Sequence, residues 1–465
     1  MVAALLVVGL AAACGSSGPS GNAGNEPSGN DANPQPALDP ACPVGALDRL
    51  TVPVAISVSA PMTGGARDAL DIVVNRYNAV HPMVHVTVTA APADPAAQRT
   101  LYRQERDGAT LPAVVAVDST ASQYLIDTGT VTSATACHKA AGILDDHTLP
   151  VVTNATSIDG IDWASSSSPS TLMLFYRRDA LSQAGLDPDK PPRTLDELEQ
   201  QARRLKDAGA TTPPVVLPLE SFLVENWLTG AGADIVNLSN GHEKPAQKSL
   251  FDNTRTLALY QWIQRMLTEG LVSIVAPPDG QPAEAPEATL THASMTVAPS
   301  SDIALIAGAT ATTLPEVDVA PLPGLEGAGR GQVSGLTWFS TNTGPATTRA
   351  AAWDFLTFLN DTSNQVTMNV TGSYLPNNTQ AAEDPVLDKV WSVTRRGPWL
   401  DTAYTQLTNL DPAGPGPLIG PYPEVRAAIR ASLVAIVAGR PPQEAITEAD
   451  QAITAALTSY HPEHP

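Results

Sequence analysis

Two periods alternate between Thr51 and Asp118. The segments "TVPVAISVS" (Thr51 to Ser59), "VHVTVTA" and the apolar run "PAVVAV" ending at Asp118 are short and rich in β-branched residues, as strands are. Between them, "ARDALDIVVNRYN" and a segment ending near Gly108 repeat apolar residues every three or four positions, as one-sided helices do. This alternation predicts a mainly parallel sheet with helices on both faces. Ligands of such a sheet lie beyond strand C-terminal ends, where Ser59, Met62 and Asp118 fall.

The pattern then repeats. Leu172 to Tyr176 reads as a buried strand followed by a helix that Gly185 closes and Pro188, Pro191 and Pro192 forbid from continuing. Thr194 and Glu197 form a capping box for a helix whose buried stripe is Leu195, Leu198, Ala202 and Leu205. "PPVVLPL" leads into "ESFLVENWLTGAG", and the amphipathic "NTRTLALYQWIQRMLTEG" follows. "ASMTVAPSSDIALIAG" repeats strand, turn and helix, "SGLTWFSTNTG" is a further strand, and the last third is almost wholly helical. Periodicity leaves open whether two domains follow one another or interleave.

The first residues change the picture of where this chain works. "MVAALLVVGLAAAC" is too short to span a bilayer and ends in small residues before Cys14; a Gly/Ser/Pro/Asn-rich tract follows, with the composition of a flexible tether. Residues 1–13 are read as a signal peptide and 14–43 as a tether lipidated on Cys14, because "LAAAC" resembles the lipobox of bacterial lipoprotein signals. Attachment to a membrane is then through the N-terminal lipid alone. Cys42 and Cys137 remain as an even pair in an oxidising compartment, available for a disulfide or present as two separate buried thiols. The formal charge of −21, without a basic stripe, argues against a nucleic-acid partner.

Catalytic machinery is not legible. His81 and His85 have a metal-like spacing that spans a Pro and enters a strand, and Ser334 in "GQVSGL" lacks the nucleophile elbow. No phosphate-binding loop is present. No metal, cofactor or catalytic residue is assigned.

"LFYRRDALSQAGLDPDKPPRTLDELEQQARRL" resembles the signature of family 1 extracellular solute-binding proteins of ABC importers. "ASMTVAPSSDIA", "VDVAPLPG", "AAAWDFLTFLNDTSNQVTMNVTGSYLPNN" and "YPEVRAAIRASLVAIVAGRPPQEAITEA" resemble further family motifs in the same order; Arg177, Leu195 and Ser373 depart from the usual residues. The resemblance implies an α/β, bilobal periplasmic-binding-protein fold (type II), with two interleaved lobes joined by hinge strands. Crossings are expected near Ser166, Val297 and Ser340, giving an N-terminal lobe of 44–165 and 298–340 and a C-terminal lobe of 166–297 and 341–460. It also implies a monomer that binds a sugar, polyol or glycerophosphodiester and closes on it for an ABC permease. A sensory or scaffold lipoprotein on the same fold, or a cell-surface enzyme, are the alternatives.

The pocket expected where sheet logic and resemblance agree comprises Asp118, Ser168, Ser170, Phe222, Ser300, Gly335, Trp338, Tyr374, Tyr422 and Arg426. Asp118 would accept hydrogen bonds from hydroxyls, and Trp338 or Tyr422 would stack on a ring or a choline-like cation. Arg426 sits early in a helix, where its charge opposes the dipole, so it is expected to face a ligand or to pair with an acid such as Glu424. Glycerol-phosphate-binding members carry an additional Arg where Leu418 stands, which favours a neutral sugar or a diester here.

Overall fold

The computed structural model describes residues 41–144, 147–276, 284–314 and 316–461. The expected signal segment, Cys14 and the tether up to residue 40 lie outside the described residues. Among the described residues, no helix is long and apolar enough to cross a membrane.

The apolar runs become the strands of two five-stranded sheets. In chain order they are β1 (Val54–Ala60), β2 (Val84–Ala90), β3 (Val114–Asp118), β4 (Ser166–Ser170), β5 (Leu172–Arg177), β6 (Val215–Pro218), β7 (Val272–Val275), β8 (Met295–Pro299), β9 (Val317–Pro321) and β10 (Ser334–Ser340). The first sheet has the order β2-β1-β3-β10-β4 and the second β9-β5-β8-β6-β7.

Each sheet is mixed. In the first, β1 runs parallel to β2 and β3, whereas β10 is antiparallel to β3 and β4, with Leu336 opposite both Asp118 and Ser168. In the second, β6 is parallel to β7 and β8, whereas β5 is antiparallel to β8 and β9. The route of the chain explains the departure from a mainly parallel sheet. Strands β4 and β9 end where the two lobes meet, so β5 and β10, which continue from them in the other lobe, start at that junction and run away from it.

Helices α1 (Gly64–Val80) and α2 (Pro95–Asp107) belong to the first lobe, and α3 (Leu195–Asp207), α4 (Ser221–Gly230) and α5 (Thr254–Thr268) to the second. Then α6 (Ala346–Asn360) and α7 (Thr362–Gly372) return to the first, and α8 (Gly397–Thr408), α9 (Tyr422–Val437) and α10 (Pro442–Ser459) to the second. One core joins Leu70, Val73 and Tyr77 of α1 and Phe355 and Leu356 of α6 to Val58, Val114 and Trp338 of the first sheet. Another joins Leu174 and Val297 of the second sheet to Trp227, Tyr260, Ile263, Ile429 and Ile446.

The capping box is present at α3: Thr194 Oγ1 accepts the Glu197 amide at 3.1 Å, while Glu197 reaches back to the Arg193 amide at 2.7 Å, one residue earlier than expected. The stripe Leu195, Leu198, Ala202 and Leu205 is buried. Cys42 and Cys137 are joined as a disulfide, with Cα atoms 5.0 Å apart, and pack beside Trp353 of α6.

Sheet membership departs from the expected lobe ranges in three places. Ser166–Ser170 stays in the first sheet, and the chain crosses at Thr171. Val297 marks no crossing, because β8 and β9 both belong to the second sheet; the return comes between Pro321 and Ser334. After Ser340, α6 and α7 still pack on the first lobe, with Phe355, Leu356, Leu359 and Met368 in its core. All these strands are short apolar runs, so nothing local in them specifies which sheet will receive them.

Candidate functional site

The β1–α1 loop supplies Met62, the first turn of α1 supplies Gly64 and Gly65, and the turn after β8 supplies Ser301 and Asp302. Between these two lobe edges opens a cavity of about 470 Å³, bounded on a third side by Thr371 in the last turn of α7 and by Tyr374 just beyond it. The site therefore lies at the C-terminal ends of one strand from each sheet, as the topology of open α/β sheets favours. Burial, then the charge of Glu287, raises the Asp302 carboxyl from its usual range to about 6. Burial raises the Tyr374 phenol, and the charges of Asp118 and Asp302 raise it further, so both carboxylates act on this ring.

Asp118 ends β3, with Oδ1 accepting the Thr120 amide at 3.0 Å and the Thr120 hydroxyl at 2.6 Å. Its own amide donates to Gln98 Oε1 of α2 at 2.8 Å. The carboxylate is thus held on a short turn, and its charge is felt by both Tyr374 and Arg426.

A second cluster is built from α4, α9 and the strand-linking segment before β10. Glu225 lies on a helix buried nearly all round and is itself 1% exposed. Arg426 Nε donates to Glu225 Oε1 at 3.0 Å and Nη2 to Oε2 at 3.1 Å, a forked pair. Tyr422 Oη donates to the same Oε2 at 3.0 Å, and Gln332 Nε2 lies 3.5 Å from it. The Arg426 side chain keeps 26% of its surface exposed, with its guanidinium carbon 5.0 Å from the Tyr422 ring centre. Burial alone would lower the Arg426 pKa, but Glu225, Tyr422 and Asp118 together hold it above its ordinary value. Two glycines allow the close fit: a Cβ on Gly331 would lie 2.6 Å from Asn226 Oδ1, and one on Gly416 would lie 2.2 Å from Gln332 Oε1.

The expected pocket residues divide into two groups. Asp118, Tyr374 and Arg426 come to this region, and Phe222 remains partly exposed one turn before Glu225. Tyr422 is 3% exposed with Arg426 over its ring, so it is not free to stack on a solute as expected. Ser168, Ser170, Ser300, Gly335 and Trp338 instead form a polar knot at the lobe crossing. Ser170 and Ser300 hydroxyls meet at 3.1 Å, the Thr171 amide donates to Ser300 Oγ at 3.1 Å, and the Ser301 amide to Ser170 Oγ at 3.2 Å. Trp338 is 0% exposed, and its indole donates to Ser168 Oγ at 3.0 Å, so it offers no ring face to a solute. Gly335 has φ +107°, and a Cβ there would meet the Ser168 carbonyl oxygen at 2.3 Å. The Arg426 partner is Glu225, not Glu424.

Glu225, Asp302 and Gln332 were missed by sequence reasoning. Glu225 had a usable signal: in "SFLVENWLTG" an acid sits within a run too apolar to have a solvent face. Among the described residues, no group of three His, Cys, Asp or Glu side chains is placed to hold a metal ion. His81 instead stacks on Tyr77, with ring centres 4.0 Å apart.

Two α/β lobes, crossed more than once by the chain and separated by a polar cleft, define a bilobal periplasmic-binding-protein fold. The chain belongs to the bacterial extracellular solute-binding proteins, whose family model matches residues 73–394. The sn-glycerol-3-phosphate-binding periplasmic protein UgpB of Pectobacterium atrosepticum is 25% identical over 297 residues, 63% of this chain and 65% of that protein. The chain thus aligns with just under two thirds of that relative's length. The cyclic alpha-maltosyl-1,6-maltose binding protein of Arthrobacter globiformis superposes with a TM-score of 0.72 at 21% identity, covering 88% of this chain and 100% of that one. UgpB of Mycobacterium tuberculosis, solved in complex with glycerophosphocholine, gives 0.71 at 18% identity over 87% of this chain and 98% of that one.

Proposed function

We propose that this protein is the solute-binding component of an ABC importer and takes up a carbohydrate or glycerophosphodiester between its lobes. The observation that carries the reading is the cavity at paired strand ends, where Met62, Asp302 and Tyr374 from different chain segments face one space, with the charge of Asp118 acting on the same Tyr374 ring. Hydroxyl-rich ligands suit such a site, because carboxylates accept their hydrogen bonds and an aromatic edge covers an apolar ring face. The ligands of similar proteins, glycerol 3-phosphate, a cyclic maltosyl sugar and glycerophosphocholine, support this range. Binding to the closed arrangement shifts an open/closed equilibrium, and the closed monomer is what the permease partner recognises.

The N-terminal sequence supports attachment to the outer face of the cell membrane by a lipid on Cys14. Mass analysis of the mature N-terminus tests this: a lipid-modified Cys14 is expected, and a mature chain lacking Cys14 overturns it. For binding, a thermal-shift screen against sugars, polyols and glycerophosphodiesters should give a saturating rise in Tm with one class. Silence across all three classes would refute the reading.

A further inference from the structure

Glu225 has no part in the binding roles given above, yet it pairs with Arg426, whose helix meets the first lobe through Arg99 and Glu424, next to the Gln98 that holds Asp118. We infer that Glu225 is a specificity-determining residue: by cancelling the guanidinium of Arg426 it tunes the cleft to an uncharged carbohydrate and against a phosphate monoester. The inference rests on the cleft being the solute site and deepens that reading.

The geometry gives three reasons. An Arg recognises phosphate through a fork of parallel N–H donors, and in Arg426 the Nε/Nη2 fork is already engaged by both oxygens of Glu225. Glu225 accepts four hydrogen bonds, from Arg426 twice, Tyr422 and Gln332, at 1% exposure, so it cannot swing away to release the fork without leaving these donors unpaired. The neighbouring cations are committed as well: Arg99 pairs with Glu424 at 2.8 Å and Arg430 with Glu220 at 3.7 Å.

The remaining charges point the same way. Asp118 acts on Arg426, and Asp118 and Asp302 both act on Tyr374. A phosphate monoester would bring its negative charge toward these carboxylates while the Arg426 guanidinium is neutralised by Glu225. A sugar faces no such repulsion; its hydroxyls donate to the carboxylates and accept from what Arg426 still exposes.

Calorimetric titration of the purified protein with maltose, other neutral oligosaccharides, glycerophosphocholine and sn-glycerol 3-phosphate tests this, on wild type and on Glu225→Gln, which keeps the acceptor oxygen and removes the charge. Wild type is expected to bind a neutral sugar and to give no heat with sn-glycerol 3-phosphate. Glu225→Gln is expected to bind sn-glycerol 3-phosphate at least about tenfold more tightly than wild type does. A folded Glu225→Gln protein with unchanged discrimination overturns the inference. Wild type alone also decides it, should the variant fail to fold: millimolar inorganic phosphate must not displace the sugar, and displacement overturns the inference. Tight binding of sn-glycerol 3-phosphate by wild type removes this inference and leaves solute binding standing. If neither protein binds any sugar, diester or monoester, the solute-binding reading falls with it.

Discussion

Arg99 of α2 and Glu424 of α9 meet in a two-point ion pair that joins the lobes, with Nη2 2.8 Å from Oε1 and Nη1 3.2 Å from Oε2. The Arg99 guanidinium also lies 5.1 Å from the Tyr124 ring centre. A second link runs in parallel: Tyr460, at the end of α10, donates its hydroxyl to Asp127 of the first lobe at 2.8 Å. These contacts exist only while the lobes are together, so they bias the molecule toward closure.

Removing the ion pair should loosen that bias modestly. With side chains 24% and 46% exposed, the pair is worth about 0.5–1 kcal/mol, a two- to fivefold change in an equilibrium constant. Glu424→Ala is expected to raise the radius of gyration of the ligand-free protein in small-angle scattering and to weaken solute affinity by that factor. An unchanged radius would show that this contact does not hold the lobes together.

Asp302 gives a pH dependence with a definite sign. Its folded carboxyl titrates at about 6, above the usual carboxylate range, so between about pH 4 and 6 the native state binds the proton that the unfolded state releases. Its contribution to stability is complete below that window and is lost as pH rises through 6. Asp302→Asn should therefore stabilise the fold at pH 7 by no more than about 3 kcal/mol, seen as a higher Tm, with the gain fading toward pH 4. Melting curves across this range check it, and a gain that grows on acidification would contradict the assignment.

The Cys42–Cys137 disulfide closes a span of 95 residues and ties the entry of the chain to the segment beside α6. In the chain-entropy description such a loop contributes about 4–5 kcal/mol. Cys42→Ser/Cys137→Ser should lower the urea midpoint accordingly, and thiol titration of the unfolded wild-type protein should find neither residue reactive before reduction.

Arg426→Ala is expected to act first on stability. It strips the partner from the buried Glu225, and breaking such a pair costs about 3–5 kcal/mol. Equilibrium unfolding of the variant should show this loss without any solute. A wild-type unfolding midpoint would mean that Glu225 finds other compensation.

Local pattern proved informative where one segment decides its own fate. The capping box at Thr194, the stripe of α3, the strand before Asp118 and the helical last third all follow from spacing and propensity. Asp118 and Tyr374 were expected together because strand ends and family motifs coincide there; Tyr374 borders the cavity, and the charge of Asp118 acts on its ring. Trp338 was expected at a strand end, but it lies inside β10, where the indole is covered by the α6 core. Arg426 was recognised as anomalous for its helix position, but its partner lies 201 residues away, a distance that periodicity cannot bridge. The same reason hid the true crossing points.

The position of β10 between β3 and β4 also governs when the first lobe can form. Strands β1 to β3 and β4 emerge early from a chain made N-terminus first, but they remain two separate fragments of a sheet, each with an unpaired edge. They unite only after residue 340 is available, and the sheet gains its α6 and α7 cover only after residue 372. Such pairing across long sequence separation is slow. The lobe that begins the sequence is therefore completed late, and its exposed edges set the period in which the nascent protein is most vulnerable to aggregation.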